Sequence, residues 1–225
     1  MTDYNAGLHL TESVTTCKTA LAQLQRLGLS DQADRPLSQA ESSTNYAALD
    51  SDVDHSEAWK LQRYAQTYIN VMSTLARQLT AAANTAGKQD AADAANVLGI
   101  GGLKGDVASL SISRRDAGDR VADENDTASL QRLLTTATRI GDEPLSRAIA
   151  EKALALGDAD TLNQFTADRP SLADAVERLW TAQNRKSTTT DLTVGFRLTA
   201  LKPAALASRM DYEIAALAAG QTNVR

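Results

Sequence analysis

Apolar side chains recur every three or four residues along most of this chain, and glycine closes many of the stripes. Val14, Cys17, Leu21, Leu24 and Leu27 predict a first helix over about residues 12–27. Thr11 is placed to cap its start, and Gly28 followed by Leu29 to close it. The longest stripe runs through Leu61, Tyr64, Tyr68, Val71, Met72, Leu75, Leu79 and Ala82. It predicts a helix from Glu57 to Ala86, about 45 Å long at the α-helical rise, stopped by Gly87. A short Ala-rich helix over Asp90–Leu98 is expected after it. Further on, Leu130, Leu133, Leu134, Ala137 and Ile140 form one face, closed by Gly141-Asp142. Leu145, Ala148, Ile149 and Ala153 form the next, closed by Gly157-Asp158. In each junction glycine ends one helix and aspartate caps the following one. Links this short return the chain antiparallel to itself. Ala159–Phe165 continues the rhythm, then a helix opened by Asp168 and Pro170 carries Leu172, Val176, Leu179 and Trp180. The last helix begins at Pro203, carries Leu206, Met210, Ile214 and Leu217, and stops at Gly220.

Two stretches carry a different period. Leu192, Val194, Phe196 and Leu198 alternate with Thr193, Gly195, Arg197 and Thr199. Alternation puts four apolar side chains on one face of an extended strand. Ala108, Leu110 and Ile112 alternate with serines and make a weaker strand candidate. A lone strand must pair its backbone groups with some edge. The partner is either the 108–112 run or a neighbouring subunit.

The connections divide the chain. Residues 1–29 hold the first helix, 30–56 an acidic linker, and 57–98 the long and short helices. Residues 99–125 hold a Gly-rich loop and possible strand, 126–183 the helical-hairpin group, and 184–225 a polar hinge, strand and final helix. The linker is long for a compact domain, so it is either functional or loosely ordered; Tyr46–Leu49 is expected to form a short anchoring turn within it. The terminal residues from Gln221 on are polar and expected to fray unless a partner holds them.

Composition narrows the classes. Of 225 residues 43% are hydrophobic but only 4% aromatic, so Ala and Leu must fill the core, as in helix-on-helix packing. The net charge is −5. Asp31 to Glu57 holds seven acids against Arg35, a net −6, which leaves the remainder at +1. No basic stripe is present to grip a phosphate backbone, so sequence-specific nucleic-acid binding is disfavoured. No run reaches the ~18 apolar residues of a membrane span, and the N-terminus lacks the features of a signal peptide. The expectation is a soluble chain made in the cytoplasm.

Candidate chemistry is thin. The glycine run 99–105 lacks the Gly-Lys-Ser/Thr order of a phosphate loop and follows a predicted helix rather than a strand. Asp50, Asp52 and Asp54 have the spacing of calcium ligands, but His55 and Leu61 stand where such a loop needs Gly and Glu. His9 and His55 are the only histidines, and no nucleophile is tied to either. Two histidines with the single Cys17 cannot build a structural zinc site; on its apolar helix face Cys17 reads as a buried thiol. No catalytic residue, cofactor site or metal site is expected. Trp59 and Trp180 each read as a core plug at a helix junction or as an interface anchor.

The fold expected is therefore mainly α: a helical bundle with one long central helix, a C-terminal helical-hairpin group and one or two short β-strands. With the long helix 57–86, the hinge 184–191 and the late strand 192–198, the layout resembles a virion structural protein of a tailed bacteriophage, of the head-to-tail connector or adaptor type. The resemblance implies a non-enzymatic structural protein of the virion, assembled as a ring of identical subunits. Its partners would be portal and tail components, docked through the strand. Leu192, Val194, Phe196 and Leu198 are then the interface candidates, together with Trp59 and Trp180. The alternative is a cytoplasmic adaptor similar to tetratricopeptide arrays, binding a peptide or protein on residues 127–182.

Overall fold

The computed structural model describes residues 2–44, 46–184 and 189–221, with side chains from His9 onward and, after the last break, from Thr193. In chain order the α-helices are α1 (Thr2–Arg26), α2 (Asp34–Ser43), α3 (Ala47–Asp50), α4 (Glu57–Leu98), α5 (Val107–Val121), α6 (Thr127–Ile140), α7 (Glu143–Leu156), α8 (Ala159–Ala167), α9 (Ala173–Asn184), α10 (Thr189–Ala200) and α11 (Asp211–Ala218). Short 3-10 turns occupy Ser30–Ala33, Pro170–Leu172 and Ala204–Leu206. The described residues form two compact units, one up to Ala86 together with the segment from α10 onward, the other from Gly87 to Asn184.

The first unit is built on the stripes of α1 and α4. Cys17, Leu24, Met72, Leu75 and Leu79 are buried with Leu37 of α2, Leu201, Leu206 and Ile214 of α11. Gly28 takes a left-handed φ of 71°, and the Leu29 N–H reaches back to the Leu24 carbonyl at 2.8 Å, the expected glycine stop. Thr11 does not cap the helix. It lies inside α1, and its hydroxyl donates to Asp211 at the start of α11, at 2.8 Å. At the other end of α11, Gln66 donates to the Ala218 carbonyl at 3.0 Å.

The second unit is the helical-hairpin group with α5 and the end of α4. Helix α7 is its centre: six successive residues, Leu145 to Ala150, are buried. Both Gly-Asp junctions have the expected form. Gly141 and Gly157 are left-handed (φ 74° and 70°), and the Asp142 and Asp158 carboxylates accept from Leu145 N and Thr161 N.

Further expectations are corrected. The last helix does not begin at Pro203: a 3-10 turn at Ala204–Leu206 comes first, and α11 starts at Asp211, with Met210 outside it. Residues 192–198 are not a strand; they lie in α10, and no strand occurs among the described residues. Val194, Leu198 and Leu201 sit at spacings of four and three, so two of the alternating residues fall on one helix face together with Leu201. Residues 108–112 likewise lie in α5, where Asp106 caps by accepting from Ser109 N at 2.9 Å. Gly87 does not stop the long helix. Glycine inside a helix costs only about 1 kcal/mol, and α4 runs through it, although the two units divide there. The stretch 30–56 is largely helical, because Ala33, Leu37 and Ala40 make a short buried stripe despite the surrounding acids. Pro36 falls in the first turn of α2, where its missing N–H is harmless. The anchoring turn within it is α3. Of the hinge 184–191, residues 185–188 lie outside the described residues, as do 222–225 of the terminal tail.

Candidate docking surfaces

Helix α10 is held to the first unit from two sides. Val194 (1% exposed) and Leu198 (7%) enter the core. Arg197 forks onto α2, donating to Glu41 from Nε at 2.7 Å and Nη2 at 3.0 Å, to Asp34 at 2.7 Å and to the Ser38 hydroxyl at 2.9 Å. The Arg197 hydrogen bonds hold the Glu41 carboxyl below its ordinary pKa. Phe196 points the other way and is 74% exposed. Of the four residues predicted to share one face, two are therefore core and one is surface; the side chain of Leu192 lies outside the described residues.

Trp59 is half-buried near the start of α4, where its ring stacks on His55 (centroids 3.8 Å apart, planes 17° apart). His55 Nδ1 lies 2.8 Å from Asp52 Oδ2, and Asp52 Oδ1 accepts from the backbone N–H groups of Asp54 (2.9 Å) and His55 (3.1 Å). The His55 contact, with those backbone bonds, keeps Asp52 below the usual carboxylate range. These contacts make a tight turn whose tip is Val53, 91% exposed. Nearby, the Tyr64 hydroxyl donates to Asp50, which pushes the tyrosine up to about 12. Asp50 and Asp52 thus serve a tyrosine, a histidine and backbone amides rather than converging on a cation. No cluster of three or more His, Cys, Asp or Glu suited to a metal occurs among the described residues. Cys17 is buried, and desolvation raises its thiol to about 11.

In the second unit Trp180 is half-buried and packs on the core. Several charged side chains of this unit are committed to structure. Arg178 grips Asp93 through two bonds (2.6 and 2.8 Å), lowering the Asp93 pKa. Arg169 grips Glu143 (2.8 Å), and Arg114 pairs with Glu151. Arg147, itself buried, donates to the carbonyls of Asn96, Val97 (3.2 Å) and Gly99 (2.8 Å), closing the end of α4. An arginine among apolar helix neighbours carries no sequence signal for that role.

The Gly-rich loop, α5 and the α6–α7 junction enclose a cleft of about 710 Å³. Its lining is mixed: Leu103, Leu110 and Ala117 are apolar, Lys104 and Arg120 are basic, and Asp116, Asp142 and Glu143 are acidic. The loop that fails as a phosphate site is thus one wall of a cleft. Among the described residues no helix is long and apolar enough to cross a membrane. No family model matches the chain. No curated protein and no solved structure matches it either.

Proposed function

We propose that this chain is a non-enzymatic assembly protein of the head-to-tail connector type, a ring of identical subunits seated against another virion component. The observation that carries the reading is Phe196. An aromatic ring held in water on a helix that is anchored by two buried residues and a forked arginine is an anchor that has lost its orienting entropy before binding. Docking runs through this helical face instead of an added strand. Size is the primary test: light scattering on the purified chain, alone and mixed with candidate portal or tail proteins. A multiple of the 23.9 kDa chain mass, and a complex with one such protein that Phe196→Asp abolishes, are the expected results. A stable monomer that joins none of them refutes the reading. The monomer would favour the second reading, a helical adaptor, which draws support from the hairpin group and its cleft.

A further inference from the structure

Within the first unit, α2 and α4 enclose a groove of about 380 Å³ lined by residues from 39–43 and 67–78. None of its lining residues is ionisable; an apolar floor lies between walls that carry three amides and three hydroxyls. Much of that hydrogen-bonding capacity is open. Gln78 donates to Gln39 Oε1 at 3.1 Å, which joins the walls and leaves the Gln78 amide oxygen and the Gln39 amide nitrogen to a ligand. The Asn70 side chain is exposed and has no hydrogen-bond partner among the described residues. Thr74 accepts from Arg77 at 3.4 Å and keeps its own O–H. Ser43 already donates to the Gln39 carbonyl, at 2.9 Å.

The spacing of these groups matches one kind of ligand. Asn70, Thr74 and Gln78 lie four residues apart, so they climb α4 in steps of about 6 Å. An extended peptide repeats every two residues, about 6.6 Å, and presents the N–H and C=O of alternate residues on one edge. A side-chain amide carries a donor beside an acceptor, the complement of that pair. The uncharged lining suits a main chain as well. A charged ligand would give up its hydration here without meeting an opposite charge. The floor residues Val71 and Leu75 are buried in the core, so recognition falls to the walls rather than to deep side-chain pockets.

We infer that the α2–α4 groove binds an extended, uncharged peptide segment of a partner protein by its main chain. Asn70 and Gln78 each pair with the N–H and C=O of alternate residues, and Thr74 donates between them. The three rungs span about 12 Å, the length of about four residues of extended chain. The site is independent of the ring reading, because all of it lies within one unit of a single chain.

The test pans a yeast-displayed library of random heptapeptides on the full-length protein. Counter-selection uses the double variant Asn70→Ala with Thr74→Ala. Both positions are exposed and alanine is the better helix former, so the variant is expected to fold, which circular dichroism checks. Surviving peptides are expected to lack Asp, Glu, Lys and Arg. Made with capped ends and measured by fluorescence polarisation, they should bind the double variant about tenfold more weakly than the wild type. N-methylation of alternate residues should weaken binding about tenfold, and N-methylation of the residues between them less than about twofold. No surviving peptide, survivors rich in charge, or N-methylation that acts equally at every position overturns the proposal. Maltoheptaose, a neutral ligand of hydroxyls alone, is titrated beside them. Saturable binding of this sugar that the double variant loses, with no peptide surviving, overturns the peptide assignment in favour of a saccharide.

Discussion

Arg147 offers the sharpest test of how the second unit is held together. Its guanidinium is the donor to the carbonyls of Asn96, Val97 and Gly99, at the end of a 42-residue helix. Helix ends leave carbonyls without intrahelical partners, and the helix dipole favours a cation there. Burial lowers the Arg147 pKa, Glu143 offsets part of that, and Arg169 and Arg114 lower it further, but an arginine stays charged at neutral pH in any case. Truncation to Ala strands three carbonyls; at about 1–3 kcal/mol per unpaired buried group, with water entering the space left behind, a net loss of about 3 kcal/mol is expected. Relief of repulsion from Arg169 and Arg114 is the opposing contribution, and it is smaller because both of those are paired elsewhere. For a unit of roughly 100 residues, a loss of that size lowers Tm by about 12–24 °C. The assay is urea unfolding in a Trp59→Phe background, where Trp180 is the remaining tryptophan and reports the second unit. Arg147→Met separates lost hydrogen bonds from lost packing, because it keeps most of the stem. If Arg147→Met matched or exceeded wild type, the carbonyls would be satisfied without the arginine and the reasoning above would be wrong.

Three further outcomes are expected. Gly141→Ala and Gly157→Ala each force a side chain into left-handed φ and should cost about 1 kcal/mol or more. Gly157 should be the costlier, because its new Cβ would lie 3.1 Å from Asn184 Oδ1 while Gly141 opens on free space; equal midpoints in urea would contradict this. The Arg178 hydrogen bonds lower the folded-state pKa of Asp93, so its contribution is fully present above the unfolded value of about 3.9 and is lost as pH falls through the lowered one. Acid titration of stability should therefore show a loss below about pH 4 that Asp93→Asn flattens. Cys17, buried and raised to about 11, should react with a thiol reagent at pH 8 only after unfolding; rapid labelling of the native protein would place it at the surface.

Much of the helical layout was legible because a 3.6-residue period needs only a few buried positions to declare itself. The Gly-Asp junctions were legible for a local reason: left-handed glycine and a capping carboxylate act within four residues of chain. The candidate surfaces were less so. Phe196 was picked out as an interface residue, but with three companions, two of which the fold buries. A lone valine among acids has no period, so nothing in the sequence marks Val53. Its exposure follows from the turn that Asp52 closes on the backbone of Asp54 and His55.

What the sequence by itself determined is local: the apolar stripes, most of the caps, the acidic segment and the helix-forming palette of Ala and Leu. Tertiary structure alone decided what those local rules leave degenerate. Val194, Phe196 and Leu198 fit a strand by alternation, yet Val194, Leu198 and Leu201 also fit one helix face, and burial against the first unit selects the second pattern. Gly87 can end a helix or lie within one, and α4 runs on through it because nothing local there forces a stop and glycine costs a helix only about 1 kcal/mol. Arg147 and the cleft belong to the same class. Both depend on residues some forty to fifty positions apart meeting, and the reach of a side chain across packed helices is set by the packing, not by sequence spacing.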